Sequence, residues 1–266
     1  MSEQQPQFLV VGAGEDKRRI AFLVEPGRTS ETPGLFWLSG LKSDMISTKA
    51  TAMAAWAREH HLAATRFDYS GHGQSDGVFE NGTISRWLEE ARGVFETVTT
   101  GPQIIVGSSM GGYIALLLLR SLMQETPAHA RRIKALVLVA PAWDMTERLM
   151  WQQFPESAKR AILEQGVYAR PSEYGAPYMI TRALIEDGRR HLIGNSAFNP
   201  DRPVFILHGL LDPDVPWEHT LDLVADLYGD WARVEAVPDG EHRLSRPEDL
   251  ERLYALFAAA VAVAVT

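Results

Sequence analysis

The sequence contains no cysteine in its 266 residues. This absence excludes disulfide bonds, thiolate metal ligands and a cysteine nucleophile. The sequence also has no excess of positive charge, because 26 Lys and Arg residues stand against 34 Asp and Glu residues, for a net charge of -8. The charges are spread along the chain. Nothing in this balance recommends nucleic acid or an anionic membrane as a partner.

Targeting segments and long apolar runs are missing as well. The segment Met1 to Gln7 is polar and has neither the apolar stretch of a secretion signal nor an arginine-rich transit pattern. The most apolar late segment, Leu250 to Val265, carries charges at Glu251 and Arg252 and is short for a membrane span. We therefore expect no membrane span and a cytoplasmic location.

Short apolar segments alternate with helical stretches, which is typical of a mostly parallel sheet covered by helices on both faces. The length fits a single α/β domain over residues 1–266. The eight predicted strands are Phe8 to Val11, Ile20 to Glu25, Leu35 to Ser39, Ala64 to Asp68, Gln103 to Gly107, Ala135 to Ala140, Val204 to His208 and Arg233 to Val237. The predicted helices are Ser47 to His61, Thr83 to Thr99, Met110 to Met123, Trp217 to Tyr228 and Pro247 to Val263.

The strand pattern stops in residues 141–203, which are rich in aromatic and helix-compatible sequence. We predict that this segment is a helical cap inserted into the domain. Binding sites in open α/β sheets lie at the carboxyl ends of strands, and the insertion leaves from such an end. Its aromatic residues could line an apolar substrate pocket or only pack the insertion onto the core. They are Trp143, Trp151, Phe154, Tyr168, Tyr174 and Tyr178.

A Gly-x-Ser-x-Gly motif at Gly107 to Gly111 follows a β-branched strand and precedes a leucine-rich helix. This order of elements predicts a nucleophilic serine, Ser109, on a strained strand-to-helix turn. A side chain at Gly107 or Gly111 would push the strand away from the helix.

A serine hydroxyl needs a base that takes its proton and a carboxylate that orients the base. After the seventh predicted strand, a turn carries Asp212 and Asp214. We prefer Asp212 as the acid, because it directly follows the turn, and interpret Asp214 as a turn or capping residue. After the eighth strand, a polar loop carries His242, which we predict to be the base. His208, at a strand end, is interpreted as a packed structural side chain.

Acyl transfer also needs N–H donors for the oxyanion, and the residue after the nucleophile supplies one. That residue is Met110. The turn after the third strand should supply the second, for which we choose Leu41, while Gly40 would let the backbone approach the substrate. His72, Trp143 and Trp151 complete the predicted substrate contacts. No spacing of His and Asp supports a metal site, so we predict none.

Three stretches carry a resemblance to a known family: 66–77, 101–112 and 208–217. The chain resembles the α/β-hydrolase superfamily over nearly its whole length. Within it, these stretches are similar to the palmitoyl-protein thioesterase family whose mitochondrial member also cleaves acyl glucuronides. Because the N-terminus has no transit pattern, the resemblance suggests a bacterial relative.

This resemblance implies the α/β-hydrolase fold, with Ser109 as nucleophile, Asp212 as acid and His242 as base. It further implies hydrolysis of esters or thioesters with an apolar acyl group, without a cofactor. The expected substrates are small-molecule esters or thioesters and S-acylated cysteine on proteins. One departure concerns the oxyanion turn, which has Ser39 before Gly40 where many members of the superfamily have histidine. Two alternatives stay open: the same residues acting on a carbon-carbon or amide bond, and a non-catalytic ligand receptor with the same fold.

Overall fold

The fold centres on an eight-stranded sheet, seen in a computed structural model that describes residues 5–171, 177–194 and 198–265. All eight predicted strands are present, with ends that differ from the prediction by at most two residues. The strands of this sheet are β1 (Gln7–Val11), β2 (Arg18–Glu25), β3 (Gly34–Leu38), β4 (Ala64–Phe67), β5 (Gln103–Ser108), β6 (Ile133–Val139), β9 (Val204–Gly209) and β10 (Ala232–Val237). A separate pair is formed by β7 (Val167–Arg170) and β8 (Tyr178–Thr181).

The order in the large sheet is β1-β2-β4-β3-β5-β6-β9-β10. The strands from β4 to β10 pair in parallel, whereas β2 is antiparallel to both of its neighbours. Parallel strands are joined by helices that cover both faces, so the central strands are rich in apolar residues, as in β3, whose five residues are all buried. The central strand β5 is buried at all six positions.

Two apolar cores lie on the two faces of the sheet. Successive residues of a strand point to opposite faces, so Ile105 belongs to one core while Ile104 and Val106 belong to the other. The first core contains side chains of α2 (Ile84–Val98) and α3 (Met110–Glu125), and the second those of α1 (Thr48–Glu59) and α8 (Pro247–Ala264). The sheet is therefore covered by helices on both sides, as predicted.

The remaining helices include α4 (Pro127–Ala130) and α7 (Trp217–Asp226), and two that belong to the segment predicted as a cap. That segment begins with a π-helical turn, Thr146–Trp151, and continues with α5 (Glu156–Gln165), the antiparallel β7-β8 pair and α6 (Arg182–Gly188). Its described residues contain more helix than strand, but the β7-β8 pair was not predicted. Each of these strands has only four residues and most of their side chains are partly exposed, which leaves little apolar pattern to detect.

Among the described helices, none combines the length and the apolar composition that would be needed to cross a bilayer. This includes α8, the late apolar segment, which contains the acidic residues Glu248 and Asp249 in its first turn.

Candidate active site

Ser109 lies at the sharp turn between β5 and α3. Its backbone has φ of +54° and ψ of −118°, a region that non-glycine residues rarely occupy. Its N–H donates to the carbonyl of Val139 on the adjacent strand at 2.8 Å, and its carbonyl accepts from the N–H of Ala142 at 3.1 Å. These bonds hold the strained turn, so Ser109 is presented at the carboxyl edge of the sheet.

The glycines of the motif allow β5 and α3 to approach closely. A Cβ atom on Gly107 would lie 2.4 Å from the carbonyl oxygen of Gly111, and one on Gly111 would lie 2.0 Å from the carbonyl oxygen of Leu38. Both distances are far inside van der Waals contact. Any larger residue would therefore separate the strand from the helix and move Ser109, as the sequence predicted.

Asp212 follows β9 and its side chain is completely buried. Its Oδ1 accepts the N–H groups of Asp214 and Val215, both at 2.8 Å. Two backbone donors fix the plane of the carboxylate, and its second oxygen, Oδ2, is left to face the next loop. Asp214 instead acts as a turn residue whose own N–H supports Asp212.

His208 stabilises this loop through hydrogen bonds of its ring. It is fully buried, and its Nε2 is 3.0 Å from the carbonyl oxygen of Val215, while its Nδ1 is 2.8 Å from the hydroxyl of Thr220. A neutral imidazole satisfies both contacts when Nε2–H donates to the carbonyl and Nδ1 accepts from the hydroxyl. Burial lowers the pKa of His208, which favours this neutral form. The structure thus places His208 in the packed role that the sequence predicted.

His242 lies on the loop after β10, which packs against the loop after β9. A Cβ on Gly209 would lie 2.4 Å from the carbonyl oxygen of Gly240, and the N–H of Leu211 donates to that carbonyl at 2.9 Å. The two loops therefore have a fixed separation, which brings His242 next to Asp212. The side chain of His242 is 18% exposed and reaches the open edge of the site.

One continuous hydrogen-bonded chain joins the three side chains. Nδ1 of His242 is 2.7 Å from Oδ2 of Asp212, and Nε2 of His242 is 3.1 Å from Oγ of Ser109. With a proton on Nδ1 held by the carboxylate, Nε2 carries a lone pair aimed at the serine hydroxyl. The arrangement can move a proton from Ser109 to His242.

The loop after β3 approaches Ser109 from the other side. A Cβ on Gly40 would lie 3.4 Å from Cβ of Ser109 and 3.3 Å from the carbonyl oxygen of Ser108, so the backbone runs against the nucleophile. Leu41 lines the same cavity as Ser109. Within the described part of the chain, the N–H groups of Leu41 and Met110 donate no hydrogen bond, so both are available to a ligand.

A cavity of ≈ 660 Å³ opens over Ser109 and His242. This size lies in the usual range for small-molecule sites. Its walls are mainly apolar on the cap side, to which β7 adds the charged Arg170, and more polar on the side of α1 and the His242 loop. The apolar lining includes Leu41, Ile46, Ala142, Met145, Leu149, Met150, Tyr178 and Val215, and the charged lining includes Lys42, Asp44, Lys49, Arg170, Asp214 and Arg243.

Three predicted substrate contacts do not line this cavity. Trp143 is completely buried, and its indole N–H donates to the carbonyl of His219 at 2.8 Å. Trp151 packs on the core and faces the guanidinium of Arg189, 4.9 Å from its ring centroid. His72 is buried under the loop after β3. The predicted substrate contacts of these three residues are therefore wrong, because the sequence does not show which way a side chain points.

The other cap aromatics divide in the same way. Tyr178 lines the cavity, whereas Phe154 and Tyr168 pack edge to face with ring centroids 5.4 Å apart. Tyr174 lies outside the described residues. The cavity walls that the sequence did not predict, Met145 and Leu149, are apolar residues four apart at the start of the cap. That spacing is a helical signal in the sequence.

The carboxylates of Asp212 and Asp214 and the imidazole of His242 lie within 4.8 Å of one another, a geometry that metals can use. Both oxygens of Asp212 already accept hydrogen bonds from protein donors, and both nitrogens of His242 face protein oxygens. The prediction of a metal-free site stays a prediction.

A serine on a strand-to-helix elbow, with a carboxylate and a histidine on two later loops of a parallel sheet, defines the α/β-hydrolase class. The model of the family described as serine aminopeptidase, S33, matches residues 39–183 of the chain. The mitochondrial palmitoyl-protein thioesterase ABHD10 of Bos taurus is 30% identical over 264 residues, which cover 95% of this chain and 82% of the relative.

Solved structures agree with this class. A hydrolase of Agrobacterium vitis S4 is 42% identical, with a TM-score of 0.94, and the match covers 97% of this chain and 98% of the other. Mouse ABHD10 is 27% identical, with a TM-score of 0.84 and coverage of 97% and 99%. The chain belongs to the α/β-hydrolase superfamily and, within it, to the family of the palmitoyl-protein thioesterase ABHD10.

Proposed function

We propose that the chain is a serine hydrolase that cleaves carboxylic esters or thioesters of apolar acyl groups through an acyl-enzyme on Ser109. The observation that carries this proposal is the hydrogen-bonded chain from Asp212 through His242 to Ser109. Membership of a hydrolase family supports the class of reaction, and the printed activity of its relatives, palmitoyl-protein thioesterase, supports the kind of bond.

In the first step, Oγ of Ser109 attacks the carbonyl carbon of the substrate while Nε2 of His242 takes the hydroxyl proton. The imidazolium that forms carries positive charge next to Asp212. Because that carboxylate is buried and held by two N–H donors, it can stabilise the imidazolium without changing position. The tetrahedral intermediate then collapses: the bond from the carbonyl carbon to the leaving oxygen or sulfur breaks, and the leaving alcohol or thiol receives the proton from Nε2.

The negative charge that develops on the carbonyl oxygen needs donors that are already in place. The N–H of Met110, at the start of α3, is one, and the N–H of Leu41 is the other. Two features support this assignment: neither N–H donates to any of the residues that the structure describes, and the backbone at Gly40 lies in van der Waals range of Ser109. Water completes the cycle by attacking the acyl-enzyme, with His242 as base, and no cofactor is required.

The acyl group occupies the apolar side of the cavity. Met145, Leu149 and Met150 from the start of the cap and Tyr178 from β8 line that side. Methionine side chains are flexible and adapt to irregular apolar ligands. We therefore propose that the cap selects the acyl chain, and that S-acylated cysteine on a protein is one substrate, as the printed name of the relatives indicates.

A panel of substrates tests this function. We expect kcat/KM for p-nitrophenyl esters to rise from acetate to medium and long acyl chains, and acyl thioesters to be cleaved by the same enzyme. An aminoacyl p-nitroanilide serves as a comparison, because the matched family model is described as an aminopeptidase. A preference for acetate, or for the anilide, would overturn the proposed substrate class, and Ser109→Ala is the control for contaminating esterases.

A further inference from the structure

The loop between β3 and α1 carries backbone strain beside the proposed oxyanion donor. Lys42 has φ of +58°, in the left-handed region that disfavours residues with a Cβ atom. It directly follows Leu41 in the chain. A residue held in this region persists only where neighbouring contacts determine its conformation.

His72 supplies such a contact. Its Nε2 lies 3.0 Å from the backbone nitrogen of Lys42, and its Nδ1 lies 3.1 Å from the carbonyl oxygen of Ser70. The ring is only 5% exposed and packs edge to face on Phe79 and Trp87, with ring centroids 5.5 Å away in both cases. The imidazole is therefore fixed in position by its packing and has both nitrogens engaged.

These contacts specify one form of the ring. The N–H of Lys42 can only donate, so Nε2 must accept, and the carbonyl of Ser70 can only accept, so Nδ1 must carry the proton. The neutral ring with its proton on Nδ1 meets both demands. Burial lowers the pKa of His72 to about 4, with Lys42 lowering it further and Asp44 opposing, so the ring is neutral at neutral pH.

The next fixed point of the loop lies further along the chain. The N–H of Met45 donates to Oδ1 of Asp68 at 2.7 Å, and its carbonyl accepts from Nη1 of Arg66 at 2.9 Å. Between Gly40 and Met45, the side chain of His72 is the only one of a described residue that binds the backbone of the loop from another part of the chain. It acts one residue away from Leu41.

We propose that His72 is a positioning residue of the oxyanion hole, in which Nε2 holds the N–H of Lys42 and thereby aims the N–H of Leu41 at the substrate carbonyl. This inference rests on the proposed function, and gives His72 a role in the reaction although it does not touch the substrate. A merely structural role would be limited to packing against Phe79 and Trp87. The two roles predict different behaviour of conservative variants.

Three variants of His72 separate the effect of the hydrogen-bond acceptor from the effect of the packed ring. His72→Gln can place an amide oxygen near the position of Nε2 and so keep an acceptor for Lys42. His72→Asn can reach only the position of Nδ1 and loses that acceptor. His72→Phe keeps a ring between Phe79 and Trp87 but has no acceptor. Fluorophosphonate titration gives the concentration of reactive sites, to which each kcat is normalised, and thermal unfolding shows whether each variant is folded.

We expect kcat to fall by roughly tenfold or more in His72→Asn and His72→Phe, with KM changed by less than about threefold, because an oxyanion donor acts on the transition state. His72→Gln should recover most of the loss. The affinity of a trifluoromethyl ketone, which forms an oxyanion on Ser109, should fall in parallel with kcat/KM, while the affinity of the product carboxylic acid should not. Equal losses of kcat in all three variants, or losses that follow thermal stability, would overturn the inference.

If the variants do not fold, NMR of the unsubstituted enzyme tests the tautomer of His72 on which the inference depends. The ¹⁵N chemical shifts of His72 should report a protonated Nδ1 and an unprotonated Nε2, and the opposite tautomer would contradict the inference. Ser109→Ala separates this inference from the function on which it rests. If that variant retained turnover, the proposed function would fail; if it were inactive while all His72 variants matched the wild type, only the role of His72 would fail.

Discussion

At the scale of single residues, hydrogen bonds distinguish the two aspartates of the loop after β9. The carboxylate of Asp212 contacts Nδ1 of His242 at 2.7 Å, whereas Asp214 lines the cavity. We expect Asp212→Asn to lower kcat by on the order of 10³-fold or more, because an amide cannot hold the imidazole in the required tautomer or stabilise its charge. The fold should be retained, as judged by circular dichroism.

Asp214→Asn is the matched control for this substitution. It makes the same change from carboxylate to amide two residues away and leaves the contact between Asp212 and His242 in place. We expect a much smaller loss of kcat. Equal losses in the two variants would mean that the cavity charge, and not the orientation of His242, is what the reaction needs.

Lys49 on α1 holds the loop that follows His242. Its ammonium donates to the carbonyl of Arg243 and lies 3.3 Å from Oγ of Ser245. We expect Lys49→Met, which keeps most of the apolar stem, to lower kcat by about tenfold, since even small displacement of a catalytic group is costly. Lys49→Arg should lose less, because it retains donors. Steady-state kinetics with a p-nitrophenyl ester measures both.

The charge of Lys49 also affects stability. Burial, with the nearby charge of Arg243, lowers its pKa from 10.5 to about 8. Between these values the unfolded chain binds a proton that the folded chain does not, so the contribution of Lys49 to the free energy of unfolding rises as the pH increases from 8 to 10.5. We expect the unfolding free energy of the wild type, relative to that of Lys49→Met, to increase over this interval. Urea titrations at each pH measure this difference. A difference that does not vary with pH would contradict this account.

The order of residues along the chain predicted which three side chains the structure brings together, whereas it did not predict the orientation of the cap aromatics. Ser109, Asp212 and His242 were predicted because each follows a strand in a fixed order along the chain. Trp143 and His219 form a contact that the order of residues does not predict. His219 is buried, and its Nε2 donates to the carbonyl of Trp143 at 2.8 Å. That pairing joins α7 to the start of the cap, a contact between distant segments that no local pattern contains.

At the scale of elements, the elbow depends on the close approach of β5, β3 and α3. A Cβ on Gly111 would lie 2.0 Å from the carbonyl oxygen of Leu38, which is backbone and cannot rotate away. We expect Gly111→Ala to cost about 3 kcal/mol or more in the free energy of unfolding, because the strand and helix must separate. Activity should fall with it, since Ser109 moves.

Gly166→Ala is the control for a glycine effect without crowding. Gly166 ends α5 with φ of +84°, and a Cβ there would meet nothing within 4 Å. We expect a cost of only about 1–2 kcal/mol, from the left-handed conformation alone. Chemical denaturation of both variants measures the difference, and a similar cost in the two would argue against the packing explanation.

The π-helical turn at the start of the cap lines the side of the cavity in which we propose that the acyl group binds. Leu149 on this turn lines the cavity. We expect Leu149→Trp to reduce kcat/KM for long acyl chains by tenfold or more relative to acetate, because the added ring volume fills the apolar side; a methylene misfit alone changes selectivity by roughly 10–200-fold. Gln153→Trp, at an exposed position that does not line the cavity, is the control. Unchanged chain selectivity in Leu149→Trp would place the acyl group elsewhere.

Elements with a long apolar pattern were predicted, whereas the short strands β7 and β8 of the cap were not. The six buried residues of β5 and the long helix α3 give a clear signal. The four-residue strands β7 and β8 are mostly half-exposed, and they form a sheet only with each other. Their pairing is a tertiary property of the cap, which explains why the sequence indicated only a helix-compatible insertion.

At the scale of the whole molecule, buried neutral histidines couple stability to pH. Burial lowers the pKa values of both His72 and His219 from 6.5 to about 4. Between these values the unfolded chain binds protons that the folded chain does not, so both histidines make the folded state less stable as the pH falls from 6.5 to 4. Above pH 6.5 their effect is absent.

His219→Gln tests this coupling. The amide can still donate to the carbonyl of Trp143, but it does not titrate. We expect the pH dependence of the unfolding free energy between pH 6.5 and 4 to be weaker in the variant by up to about 1.4 kcal/mol per pH unit, the value for one proton. Burial raises the pKa of carboxyls such as Asp68, but these groups contribute equally in both proteins. Their contribution therefore cancels when the two curves are subtracted. Parallel curves for the two proteins would contradict the assignment.

The central claim is that Ser109 is the nucleophile of a hydrolase, and fluorophosphonate labelling followed by peptide mass spectrometry tests it most directly. We expect one label per chain, on Ser109, and a loss of esterase activity in proportion to the labelling. Ser108→Ala, the adjacent serine, should still be labelled, whereas Ser109→Ala should be neither labelled nor active. A label that persists in Ser109→Ala, or esterase activity that survives complete labelling of Ser109, would contradict the account.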